Sequence, residues 1–146
     1  MQIVRQFDQN EAALVGWGVR VLLLAPDHGL HEGRVAARIA GLGGVVEQET
    51  DFYSALDALD SDHTGFGLFV MEADAFGGLE EARVMVAQLR RTDPAIPVIV
   101  IASDCTTQNF PMDDRAAIEL RAPLSAVSLR VGFEHAMRHR LVFKAA

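Results

Sequence analysis

Apolar residues are concentrated in five short runs along the chain. Most of these runs are apolar at nearly every position, which is typical of strands that are covered on both faces of a parallel sheet. The second run contains three polar residues and predicts a strand at the edge of the sheet. The predicted strands are residues 19–25, 45–49, 68–71, 97–102 and 116–120.

Apolar residues spaced three or four apart follow four of the runs and predict helices. Ser125 and either Thr50 or Asp51 are suited to cap two of them, and Asp93-Pro94 ends another. The stretch 103–114 has low helix propensity and contains a proline, so we predict a loop or a short, distorted helix there. The predicted inner faces are Val35, Ile39 and Leu42; Phe52, Leu56 and Leu59; Leu79, Ala82, Val86 and Leu89; and Leu129, Phe133, Met137 and Leu141.

The alternation of strands and helices predicts one α/β domain, and right-handed crossovers make it a three-layer αβα sandwich around a five-stranded parallel sheet. We assign residues 19–146 to this domain and treat residues 1–18 as an N-terminal extension. Trp17 lies between two glycines in the extension, and we expect its ring to pack back on the domain in preference to a partner.

Composition and charge exclude several classes of function. No apolar run approaches the ~18 residues of a membrane span, and the start of the chain lacks a secretion signal, so we expect a cytoplasmic protein without membrane contact. A net charge of −7 argues against sequence-independent binding of nucleic acid. The single cysteine, Cys105, excludes an internal disulfide and a thiolate zinc site.

Two acidic residues follow the third run directly. Glu72 and Asp74 stand between Leu68–Met71 and Gly77-Gly78. Open α/β sheets collect their functional side chains at the carboxyl ends of the strands, so we place the candidate site here. Of the 13 basic residues, all but Lys144 are arginine, and Lys144 lies beyond the last predicted helix.

Over residues 19–141 the chain resembles the receiver domain of bacterial two-component response regulators. Arg20–Leu24, Leu68–Glu72 and Pro97–Ile101 resemble the first, third and fourth strands of that family, and Arg121–Leu124 resembles the Lys-Pro turn after its fifth strand. The resemblance implies a flavodoxin-like, CheY-like fold with strand order 2-1-3-4-5.

The resemblance also assigns roles to single positions. In a receiver an Asp after the third strand is phosphorylated, beside a Mg²⁺ ion that an acid pair after the first strand helps to hold. Glu72 occupies the acceptor position here. Ala25 and Pro26 occupy the acid pair, so Asp27 is the only remaining acid, and we expect the following loop with His28 to meet solvent.

The two side chains that contact the phosphoryl group in a receiver are replaced as well. Ala102, followed by Ser103, stands where a Thr or Ser is expected, and Ala122 stands where a Lys precedes the turn proline. Arg121 is a neighbour in the strand, but neighbours point to opposite faces. The aromatic switch position falls near Glu119. The pocket positions are therefore Asp27, Ala102, Ser103, Arg121, Ala122 and Pro123.

These replacements predict an atypical receiver, or pseudo-receiver, that is not an enzyme, holds no metal or cofactor, and acts through contacts with a signalling protein. The alternative is a divergent receiver that accepts phosphate on Glu72 or Asp74 and uses Mg²⁺. Glu72 itself is either a mimic of the phosphorylated state or an acid without a switching role. A flavodoxin-like cofactor site is disfavoured, because residues 25–29 lack the hydroxyl and glycine run that cradles a phosphate.

The last predicted helix carries a second apolar strip, Val127 and Val131. Receivers commonly pair through this region, so the strip predicts a homodimer or a partner contact, and the alternative is that the N-terminal extension covers it. His135 and His139 have the spacing of a two-histidine metal site, but no third ligand is evident and we expect an exposed face. The chain stops soon after this helix, which predicts a stand-alone module.

Overall fold

The computed structural model of the chain describes residues 15–28, 33–62 and 65–139. These residues form five strands and four helices, with a short 3₁₀ turn at Ala73–Phe76. In chain order the elements are β1 (Arg20–Leu24), α1 (Arg34–Gly41), β2 (Val45–Glu49), α2 (Phe52–Ser61), β3 (Leu68–Glu72), α3 (Leu79–Thr92), β4 (Val98–Ala102), β5 (Ile118–Arg121) and α4 (Ala126–Ala136).

The strands form a single parallel sheet in the order β2-β1-β3-β4-β5, as predicted. Leu24 pairs with Met71 and Glu72 pairs with Ile101, so the carboxyl ends of β1, β3 and β4 lie side by side. This register brings the predicted site positions to one edge of the sheet.

Two separate apolar cores cover the two faces of the sheet. Alternate residues of β1 belong to different cores, with Leu22 and Leu24 on one face and Val21 and Leu23 on the other. Helices α2 and α3 pack on the first face, and α1 and α4 on the second. The result is the predicted three-layer sandwich, in which β4 is buried along its whole length because both faces are covered.

The starts of α2 and α4 are fixed by side-chain caps. The Asp51 carboxylate accepts from the Tyr53 amide at 3.0 Å, and the Ser125 hydroxyl accepts from the Ser128 amide at 3.0 Å, so both predicted caps are present. These bonds satisfy amides that have no partner within the helix.

Helix α3 is capped by a side chain that follows β4, the strand beside β3. Gly78 precedes it with φ of 91°, and the Asp104 carboxylate accepts from the Leu79 amide at 3.1 and 3.3 Å. A Cβ at Gly78 would lie 2.8 Å from Asp104 Oδ2. Glycine is therefore favoured at position 78 for two reasons. Its φ is positive, and a side chain there would collide with the Asp104 carboxylate.

The segment between β4 and β5, residues 103–117, contains no helix. The prediction of a loop is correct, although β5 begins at Ile118, two residues later than predicted. The amide of Ala116 turns back to the Asp113 carbonyl at 3.1 Å instead of joining the sheet. Asn109 forms an antiparallel bridge with Glu119 and covers part of the outer edge of β5.

The expectation that Trp17 packs back on the domain is wrong. Its side chain is 68% exposed, whereas the neighbouring Gly16 is buried and its amide donates to the Leu42 carbonyl at 2.8 Å. An added Cβ at Gly16 would lie 2.7 Å from a ring carbon of Phe133, so the backbone of this turn, and not the indole, makes the close contact. Residues 1–14 and Leu141 lie outside the described residues.

Candidate functional site

Glu72 ends β3 and is the most buried acid at the carboxyl edge of β1 and β3. Its side chain is 24% exposed, and its Oε2 atom is buried without a hydrogen-bond partner among the described residues. The nearest cationic candidate is His28, whose Nε2 lies 3.7 Å from that oxygen. His28 thus lies beside Glu72, and the His28 side chain is 33% exposed.

Burial raises the pKa of Glu72 above its ordinary value, because a carboxylate loses hydration there. The neighbouring His28 opposes this shift, and the charge of Asp74 adds to it. Glu72 therefore keeps its proton to higher pH than an exposed glutamate does.

Asp74 has a different environment. It lies on the 3₁₀ turn after β3, is exposed, and its Oδ1 accepts from the Ser103 amide at 2.9 Å. The two candidate acceptor carboxylates therefore have different contacts. Glu72 faces His28, whereas Asp74 binds the first amide of the β4–β5 segment.

The residues at this edge do not fit a magnesium ion. Mg²⁺ requires a near-octahedral set of oxygen ligands. Ala25 is fully buried and carries no ligand, Pro26 carries none, and Asp27 is exposed. The neighbour of Glu72 is an imidazole, and nowhere in the described part of the chain do three His, Cys, Asp or Glu side chains come together to hold a metal.

The positions that contact the phosphoryl group in a receiver carry methyl groups. Ala102 is fully buried at the end of β4, and the Ala122 amide donates to its carbonyl at 3.0 Å. Ala122 and the exposed Pro123 follow β5 directly, and Ser103 is exposed with its amide bound to Asp74. The Ala102 and Ala122 side chains supply neither a hydroxyl nor an ammonium group, and the hydroxyl present at this corner is that of Ser103.

Arg121 turns away from Glu72. Its Nε donates to the Cys105 carbonyl at 3.1 Å and its Nη2 donates to the Thr106 carbonyl. Its own amide donates to Gln108 Oε1 at 3.1 Å. The guanidinium is therefore committed to the loop beside β5.

An ion pair that sequence reasoning missed joins the buried Glu119 of β5 to the half-exposed Arg83 of α3. Glu119 is 8% exposed, and Arg83 of α3 donates to both of its oxygens, from Nε at 2.8 Å and from Nη2 at 2.9 Å. Arg83 Nη1 also donates to Glu80 at 2.6 Å. A lone acid between Ile118 and Leu120 in a buried strand was the available signal, because such a group needs a cation from a neighbouring element.

The outer face of α4 has two parts. Val127 is 71% exposed and Val131 is 42% exposed, so the predicted apolar strip is on the surface. His135 Nε2 donates to the Pro111 carbonyl at 2.5 Å, and His139 Nε2 lies 2.9 Å from Asp114 Oδ1. The two histidines thus contact the β4–β5 segment, which the expectation of a freely exposed face did not include.

Comparison with known proteins identifies the fold. No family model and no curated protein matches the chain. Among solved structures it is similar to a response regulator receiver domain protein from Clostridium thermocellum, with a TM-score of 0.67 and 12% identity over 86% of this chain and 98% of that one. A putative pilus assembly-related protein from Burkholderia pseudomallei matches with a TM-score of 0.59 and 17% identity over 82% and 89% of the two chains.

A third similar structure is the constitutive lysine decarboxylase of E. coli, with a TM-score of 0.54 and 9% identity. The match covers 83% of this chain but 18% of the decarboxylase. At these identities the likenesses establish the receiver-type fold, as predicted, and the strand order that accompanies it. None of the helices in the described ranges has the length and apolar character needed to span a membrane.

Proposed function

We propose that this chain is an atypical receiver-type module that acts through contacts with a protein partner and takes no part in Mg²⁺-dependent phosphotransfer. The observation that carries the proposal is the environment of Glu72. Its carboxylate faces the His28 imidazole at 3.7 Å, at the place where receivers hold a metal ion between carboxylates.

The chemistry of phosphoryl transfer explains why this environment matters. The reaction depends on positioned cations that neutralise the charge of the transferring group. Ala102 and Ala122 supply no such contact, and Arg121 is bound to the carbonyls of the neighbouring loop. Burial also raises the pKa of Glu72, so at a given pH a larger fraction of this carboxyl group is protonated than of an exposed glutamate.

The proposal also specifies the kind of partner and the cellular location. A module of this kind is not an enzyme, requires no cofactor, and contacts a signalling protein in the bacterial cytoplasm. The exposed strip of Val127 and Val131 supports a partner or homodimer contact through α4. The occurrence of the fold in both a receiver domain protein and a pilus assembly-related protein supports a role that is set by the partner.

The test is the intact mass of the full chain after incubation with Mg²⁺ and acetyl phosphate. The wild-type protein, Glu72→Ala and Asp74→Ala are compared with an active receiver domain that serves as the positive control for the donor. We expect the control to gain one phosphoryl group and all three forms of this chain to gain none.

A mass gain in the wild-type protein overturns the proposal. If the gain disappears in one of the two variants, that residue is the acceptor and the chain is a divergent receiver. A gain that survives in both variants places the acceptor elsewhere and equally removes the basis of the proposal.

A further inference from the structure

The β4–β5 segment, residues 103–117, joins two parallel strands without a crossover helix. Such connections usually contain a helix, and that helix satisfies the backbone groups of the connection internally. Without a helix, the carbonyls of the segment need partners from elsewhere.

Three arginines from different elements supply these partners. Arg121 of β5 donates to the carbonyls of Cys105 and Thr106. Arg90 of α3 donates from Nε to the Arg115 carbonyl at 2.9 Å. We refer to Arg90, Arg121 and Arg138 as the anchoring arginines.

Arg138, which follows α4, binds the middle of the segment. Its Nη2 donates to the Met112 carbonyl at 3.1 Å and to Asp114 Oδ1 at 2.6 Å, while Nη1 donates to the His135 carbonyl at 2.6 Å. A guanidinium can reach two or three acceptors at fixed angles, whereas an ammonium is a single centre. This geometry gives a physical reason for arginine at these three positions.

The two ends of the segment are fixed as well. At the start, Asp74 holds the Ser103 amide and Asp104 holds the start of α3. At the end, the bidentate pair between Glu119 and Arg83 fixes β5 to α3.

We propose that the anchoring arginines lock the β4–β5 segment in one conformation, so that the surface it presents does not depend on phosphorylation. This inference goes beyond the proposed function, because it concerns the rigidity of a surface and not the chemistry at Glu72. The module is then constitutive: partners meet a preformed surface, and occupancy of the carboxyl edge does not change it.

Hydrogen–deuterium exchange of the full chain, followed by mass spectrometry, tests the lock. The amides of Asn109 and Ala116 are donors within the segment and report on it. In the wild-type protein we expect the peptides that cover residues 103–117 to be protected, and Mg²⁺ with acetyl phosphate to leave their exchange unchanged.

Three variants keep the positive charge but remove the planar guanidinium group that binds several acceptors: Arg90→Lys, Arg121→Lys and Arg138→Lys. Each should speed exchange in the segment by roughly tenfold, as expected for the loss of a charge-assisted hydrogen bond, with a smaller change in peptides from β1 and β3. Arg34→Lys and Arg91→Lys are matched controls, because both arginines are exposed and bind none of the described residues. They should exchange like the wild-type protein.

Three results would overturn the proposed lock. The first is rapid exchange of the segment in the wild-type protein, and the second is exchange in the Lys variants equal to that in the controls. The third is a change in the exchange of the segment when Mg²⁺ and acetyl phosphate are added. The intact mass of the same samples separates this inference from the proposed function. A mass gain with unchanged exchange removes only the proposed function, and rapid exchange without a mass gain removes only the lock.

Discussion

Substitution of Glu119 by glutamine tests the ion pair between the buried Glu119 of β5 and the half-exposed Arg83 of α3. The glutamine has the same shape but keeps only one acceptor oxygen, and its amide group places a donor against the donors of Arg83. Glu119 is 8% exposed, so little water reaches its side chain, whereas the Arg83 side chain is half exposed. We expect a loss of about 2 kcal/mol in the free energy of unfolding, which lowers Tm by roughly 4–8 °C for a domain of this size.

Urea unfolding followed by circular dichroism measures this change, with an unchanged m-value as the check that the same transition is observed. Glu134→Gln is the matched control, because its carboxylate is in an exposed ion pair with Arg130 at 3.4 Å. Loss of an exposed pair costs about 0.5 kcal/mol or less. If the two variants are equally stable, the burial argument for Glu119 is wrong.

Two further variants complete the comparison. Arg83→Met leaves the Glu119 carboxylate buried without a cation and should be the least stable form. The double variant Arg83→Met with Glu119→Leu removes both charges and should recover much of that loss, because it leaves no buried charge without a partner. A double variant less stable than Arg83→Met would refute this order.

Three other predictions follow from the carboxyl edge and the outer helix face. Because the pKa of Glu72 is raised in the folded state, its protonated side chain contributes stability at pH values below the ordinary glutamate pKa of about 4.3, and this contribution is lost as pH rises through the folded-state pKa. Glu72→Gln should therefore gain stability relative to the wild type between pH 4 and 8. A difference in urea midpoint that stays constant over this pH range would contradict the prediction. Asp104→Ala removes the cap on Leu79 and should cost about 1 kcal/mol in the same assay, whereas an unchanged midpoint would show that the cap contributes nothing. Val127→Ser with Val131→Ser should leave Tm within about 1 °C of the wild type, because both side chains are exposed, and sedimentation velocity should show fewer dimers if the strip mediates pairing.

The sequence predicted the fold because its strongest signal is burial. Leu68–Met71 and Val98–Ile101 are apolar at every position, and only strands covered on both faces require that. The caps at Asp51 and Ser125 are local, since each carboxylate or hydroxyl binds an amide within three residues. Such features can be found from neighbouring residues alone.

The features that sequence reasoning missed are contacts between distant residues. Asp104 caps a helix 25 residues earlier, and Arg83 reaches Glu119 across 36 residues. No local pattern marks such pairs, and both depend on the order of strands in the sheet. Trp17 was placed wrongly because a large apolar ring is usually buried, but here the backbone of Gly16 packs against Phe133 and the indole is exposed.

The bonds from the anchoring arginines have a consequence for how the sequence of residues 103–117 can change. Most of them end on main-chain carbonyls, which every amino acid carries. The side chains of Thr106, Thr107 and Met112 are exposed and contribute nothing to these bonds. These three residues can therefore be substituted, in evolution or in a randomised library, while the loop keeps its conformation. New binding specificities can then be selected on this scaffold without loss of the fold.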